Sequence, residues 1–153
     1  MLEAIPTNIF STTFRLQQQN QLVGEVATSV WGEKGRLELE DGTYEAYRER
    51  LFGGDFLLEH DGKLVARASK PSALRNTFEV ELPGRRLTLR KVSMLNRRFG
   101  LFDGEKQVGS IYPLGVFTRR SNIDLPGDWP LPIRAFLFWL VFLLWKRQTH
   151  AAS

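Results

Sequence analysis

Phe136-Leu-Phe-Trp-Leu-Val-Phe-Leu-Leu-Trp145 is a run of ten apolar residues near the end of a chain that is otherwise ordinary in composition. Ala135 extends the run to eleven, and from Ile133 to Arg147 the only charges are Arg134, Lys146 and Arg147. Pro132 suits the first turn of a helix, where its missing N–H costs nothing. Lys146 and Arg147 suit the last turn, where cations oppose the helix dipole. The pattern predicts a helix over about 132–147 that is apolar on every face, which marks a helix buried in protein or in lipid. Most of these side chains gain about 1.5–3 kcal/mol each on burial. Their sum exceeds a domain's whole net stability of about 5–15 kcal/mol, so the segment must be hidden. A bilayer span wants about 20 apolar residues, whereas a run of about 10–14 reads as a core helix. The expected host is therefore the rest of the chain, with a short membrane anchor as the alternative.

The rest of the chain reads as strands. GRLELEDGTYEAY (35–47), NTFEVELPGRRLTL (76–89) and FLLEHDGKLVARAS (56–69) alternate apolar and polar residues around Asp-Gly or Pro-Gly turns. Leu37/Leu39, Phe78/Val80/Leu82 and Leu87/Leu89 each share one face of a strand, with Glu38, Glu79/Glu81 and Thr88 on the other.

Laid on itself, the chain repeats. Phe14, Phe56 and Phe99 each open an F-x-L pattern completed by Leu16, Leu58 and Leu101. Nine residues after each Phe stand Val23, Val65 and Val108, followed by Gly24, Ala66 and Gly109. Val26, Ala68 and Ile111 come next in phase, and Gly42, Gly84 and Gly127 close each unit behind Asp41, Pro83 and Pro126. The periods are 42 and 43 residues without a gap. Each unit reads as two hairpins, hence four strands. The third is incomplete after Gly127, and the segment from Ile5 to Thr13 is expected to supply its missing strand.

Three units are too few to close a propeller, which needs about four to eight blades. A single closed barrel removes exposed edges, and about twelve strands enclose a lumen too wide for their own side chains. An α-helix with side chains, about 10–12 Å across, suits such a lumen. The expected fold is mainly β: one domain over 1–153, an antiparallel barrel of about twelve strands (about 5–129) in three four-strand repeats. It encloses a hydrophobic C-terminal helix (about 132–147), with a disordered tail at 148–153.

This arrangement resembles the tubby C-terminal-like superfamily, which includes tubby proteins, phospholipid scramblases and LURP-one-related proteins. The resemblance spans about Phe14 to Arg147. It rests on the architecture and on Asp61-Gly-Lys-Leu-Val-Ala-Arg-Ala68, Asp103-Gly-Glu-Lys-Gln-Val-Gly-Ser-Ile111 and Asn122-Ile-Asp-Leu-Pro126 ahead of the helix. It implies a barrel around its own helix, in a family often associated with membrane lipids. Tubby proteins bind phosphoinositides at a basic surface site, whose motif has no residue-by-residue counterpart here. In scramblases an acidic segment before the helix is proposed to bind calcium. Here that stretch holds only Asp124 and Asp128, far short of about six to eight oxygen ligands, and no metal is expected.

Charge points to a partner. The net charge of +4 is uneven: residues 84–120 carry +7 and the remainder −3. The candidate anion-binding residues are Arg85, Arg86, Arg90, Lys91, Arg97, Arg98, Arg119 and Arg120, facing an anionic membrane lipid or an acidic protein. Arginine beside aromatic residues, as in Arg98-Phe99 and Phe117-Thr-Arg-Arg120, also fits single-strand nucleic acid, but Phe99 belongs to the repeat and reads as core.

Catalytic signatures are missing from the sequence. There is no cysteine, so no disulfide, zinc-thiolate site or thiol nucleophile. His60 and His150 are far apart in the chain and read as solvent-exposed. Glu38, Glu40, Asp41, Glu45 and Glu49 read as a wet strand face, and no G-x-S-x-G elbow or phosphate loop occurs. The N-terminus has neither a basic nor an apolar signal-like region, so no secretory leader is expected. The reading is a non-enzymatic, cofactor-free, monomeric binding module, cytoplasmic and at a membrane surface. The alternative is a scramblase-like protein with its helix in the bilayer.

Overall fold

A computed structural model of the chain describes residues 1–8, 12–29, 33–50, 53–70, 76–93, 95–115 and 119–152, with the side chains of 149–152 excepted. The first repeat forms β2 (Thr13–Gln18), β3 (Gln21–Thr28), β4 (Lys34–Leu39) and β5 (Gly42–Arg50). The second forms β6 (Gly53–His60), β7 (Lys63–Ser69), β8 (Thr77–Leu82) and β9 (Arg85–Lys91). The third contributes β10 (Phe99–Asp103), β11 (Lys106–Pro113) and β12 (Ser121–Asp124) before the chain enters α1 (Leu131–Ala152). The strand missing from the third unit is β1, Leu2–Pro6. It overlaps the expected Ile5–Thr13 only at its end, and residues 9–11 lie outside those described.

The strands form a closed barrel in which every neighbour is antiparallel. β1 shuts it by pairing with β12 (Leu2↔Ile123, Ala4↔Ser121) and with β2 (Leu2↔Gln18 to Pro6↔Phe14). After Pro126-Gly127 the chain turns into the lumen instead of adding a strand, and the N-terminal strand fills the vacant place in the wall. The helix also departs from expectation: it runs on to Ala152, where the sequence ended it at Arg147 and left a disordered tail.

The repeat has a geometric cause. Leu16 pairs with Gly24 but Gln17 with Leu22, so Val23 is the extra residue of a β-bulge. Val65 and Val108 are the extra residues at the matching places in the other two units. A bulge bends its strand and sharpens the local twist. Three bulges at one level share the curvature that closes the wall. The small residue after each bulged valine lets the next strand close in. A Cβ on Gly24 would lie 2.5 Å from Leu39 Cδ2, and one on Gly109 would lie 2.6 Å from Leu125 Cδ2.

The lumen is filled by α1. Phe136 to Val141 are fully buried and Phe142 to Trp145 are at most 8% exposed. They meet the inward faces of the strands, including Phe14, Phe56, Phe78 and Phe99. Phe138 and Phe142 each contact Phe14 edge-on, at 5.1 and 5.0 Å between ring centroids. Trp139 contacts Phe56 edge-on at 5.9 Å and stacks near Phe136 at 6.0 Å. In this structure the apolar surface of the helix is spent on the barrel wall. No helix among the described residues is long and apolar enough to cross a membrane.

The Trp139 indole lies where a side chain at Gly35 would stand. Gly35→Ala drives a methyl into the ring and is expected to destabilise the fold by about 1–3 kcal/mol, read as a lowered urea midpoint. Adding Trp139→Phe to Gly35→Ala recovers part of that loss. An unchanged midpoint in Gly35→Ala would mean the helix is not packed against the wall at this point.

Candidate functional site

The two ends of the barrel differ in chain geometry and in charge. At one end, the turn end, five hairpins close through two residues each: 19–20, 40–41, 61–62, 83–84 and 104–105. Asp61 and Gly62 are both left-handed there (φ 51° and 76°), the conformation that two-residue hairpins favour. The helix enters at this end. At the other, the loop end, connections reach seven residues (92–98 and 114–120), and the C-terminal turns of α1 emerge among them. Glu40, Asp41, Asp61, Glu105 and Asp128 stand at the turn end. Cations crowd the loop end.

The eight expected anion-binding residues do not form one patch. Arg85 and Arg86 begin β9 at the turn end, where Arg86 pairs with Glu81 at 2.8 Å and Arg85 lies over the Trp129 ring at 5.3 Å. The other six lie toward the loop end, at the close of β9 or in the segments leading into β10 and β12. Several rest on aromatic rings: Arg90 over Phe102 at 4.0 Å, Arg98 over Tyr112 at 3.9 Å, Arg97 over Trp145 at 5.6 Å and Arg119 over Phe14 at 5.6 Å. Burial pushes the Arg119 pKa down. Arg120 pairs with Glu3. Phe99 is core, as its place in the repeat required, and Phe117 lies outside the described residues.

Sequence reasoning missed a second group of cations at the same end. Arg48, from the end of β5, lies over Phe56 at 5.0 Å, and Arg147 of α1 lies over the same ring at 5.8 Å. Both pair with Glu33, Arg48 at 3.3 Å. Lys70 follows β7 in the same cluster. Its pKa is pushed down by partial burial and by the like charges of Arg147 and Arg48, with Glu33 opposing. Lys146 donates to the Ser29 carbonyl at 3.4 Å. These cations come from three separated segments, so no window of sequence held them together. The only early sign was Lys146-Arg147 at the helix end.

The turn end carries a different feature. A hollow of about 410 Å³ lies where the helix enters, lined by Tyr44, His60, Leu82, Pro83, Trp129 and Pro132 among others. His60 is half-buried rather than solvent-exposed. Its ring stacks on Tyr44 at 4.3 Å and covers Gly42. Its Nδ1 lies 3.0 Å from the Thr43 carbonyl, which can only accept, so that nitrogen carries the proton. The side chain of His150 lies outside those described. Asp41 accepts from the Tyr44 hydroxyl at 2.7 Å. Glu49 is held below the usual carboxylate range by the Asp55 amide and by Arg67, the latter at 3.0 Å. The expected wet-face carboxylates are thus committed in part to structural pairs. No group of three or more His, Asp or Glu side chains placed to hold a metal occurs among the described residues.

Comparison with known proteins adds no assignment: no family model, no curated protein and no solved structure matches the chain.

Burial, and then the bond to Asp41, push the Tyr44 hydroxyl from the ordinary 10.0 up to about 12. A raised phenol contributes stability that is complete below its unfolded pKa and is lost as pH rises through its folded one. The stability advantage of the native chain over Tyr44→Phe should therefore shrink between about pH 10 and 12. Urea midpoints of the two proteins across that range check it; a constant difference would mean the phenol is not held protonated.

Proposed function

We propose that the chain is a non-enzymatic, tubby-like binding module whose loop end rests on an anionic phospholipid surface at the cytoplasmic side of a membrane. The observation that carries this reading is the gathering of Lys70, Arg48, Arg147, Arg97, Arg98 and Arg119 at one end of an otherwise mixed barrel. Within the Arg48/Arg147/Lys70 cluster, Glu33 alone opposes the positive charge acting on Lys70. Arg48 and Arg147 share the one carboxylate of Glu33 beside Lys70, and an anionic surface relieves the mutual repulsion of these cations. Each cation near such a surface contributes about 1 kcal/mol, fading with salt. An acidic protein would satisfy the same charges.

The turn end supplies the control. Lys70→Gln, Lys91→Gln and Arg98→Gln together should weaken partitioning onto phosphatidylserine-containing vesicles by about two orders of magnitude. Arg85→Gln, Arg86→Gln and Lys106→Gln remove the same net charge from the turn end and should change it little. Equal losses in the two triple variants would show that only net charge matters, and no loss in either would sink the membrane reading.

A further inference from the structure

We infer that Leu95, in the connection between β9 and β10, is a membrane-inserting side chain that enters the acyl boundary while the surrounding cations hold phosphate. This rests on the proposed lipid-facing role of the loop end and specifies how that end engages. Leu95 is 97% exposed, and Val92 in the same loop and Leu114 in the neighbouring 114–120 loop are 38% and 43% exposed. Exposed leucines occur at the turn end too, Leu22 at 62% and Leu64 at 52%. Leu64 follows the Asp61-Gly62 turn and Leu22 the uncharged Gln19-Asn20 turn, whereas Leu95 is preceded by Lys91 and followed by Arg97 and Arg98.

The loop holds Leu95 outward. Val92 N donates to the Arg98 carbonyl at 3.0 Å and closes its base. Leu95 N donates to Ser93 Oγ, and Arg98 N to Asn96 Oδ1, each at 3.2 Å. Arg97 takes a left-handed backbone (φ 56°), and its carbonyl accepts from Trp145 Nε1 of the central helix at 3.0 Å. Arg97 and Arg98 are therefore tied to the core at the root of the loop, which reduces the ordering that insertion of Leu95 must add.

Charge and apolar contact select the partner together. A free phosphate or detached headgroup would engage the cations and leave Leu95 in water. A zwitterionic bilayer would receive the leucine without satisfying the cations. A bilayer with anionic headgroups does both, with the aliphatic tip below the phosphates and the guanidinium groups among them. One leucine means shallow insertion and a contribution of about tenfold to partitioning.

The chain has no cysteine, so L95C carries a single environment-sensitive fluorophore at the tip and L22C carries one at the opposite end. With vesicles of phosphatidylcholine and phosphatidylserine, the label at 95 should shift to the blue and the label at 22 should not. Neither should respond to phosphatidylcholine alone or to a soluble inositol phosphate. Leu95→Ser, whose site is too exposed to affect folding, should lower partitioning about tenfold. If the native chain binds anionic vesicles, yet the label at 95 stays in water and Leu95→Ser binds equally well, insertion is wrong and the electrostatic reading of the loop end survives. Absence of vesicle binding by the native chain overturns both. A blue shift of equal size on phosphatidylcholine alone overturns the role given to the cations.

Discussion

A wall of twelve strands encloses more space than its own side chains fill, and a helix as apolar as Ala135–Trp145 has no stable place in water. Each supplies what the other lacks, and the rest of the architecture follows from that mutual burial. It requires a closed wall, so an N-terminal strand of five residues completes the third repeat. It also requires the chain to leave the wall after Pro126-Gly127 and pass through the lumen from the turn end to the loop end. The threefold repeat breaks at the one place where the chain changes from wall to filling.

The same constraint shapes the charge distribution. The repeat's phenylalanines stand at the loop end of the lumen, where the packed interior meets water. Phe14 lies under Arg119, Phe56 lies under Arg48 and Arg147, and Phe99 meets Trp145 edge-on at 6.5 Å with Arg97 over that indole. A guanidinium can cover a ring with its flat face and still turn its N–H groups to solvent or phosphate. These arginines therefore finish the core and make the loop end cationic at the same time. Removing one is expected to act on stability as well as on binding, and Lys70 and Lys91 separate the two effects better.

Much of the fold was legible because its signals are local. Alternation in 35–47, 56–69 and 76–89 shows strands, the all-round apolar run shows a buried helix, and the F-x-L…V-G/A phase shows three equivalent units. The valine at the ninth place already marked the bulge, although only the strand register reveals why it recurs. His60 shows where such reasoning fails. Nothing beside it in the sequence indicates that a tyrosine sixteen positions earlier stacks on its ring.

The sequence by itself determined the kind of barrel, the filling of its lumen and an excess of positive charge in residues 84–120, because periodicity and composition belong to short stretches of chain. Only the tertiary structure decided that Leu2–Pro6 closes the wall and that Arg85 and Arg86 stand at the opposite end from Arg97, Arg98 and Arg119. It also decided that Arg48, Lys70 and Arg147 join the latter group. Antiparallel strands return the chain to the same end of the barrel at every second connection. Which charges meet there depends on strand count, register and closure, and these are properties of the whole wall.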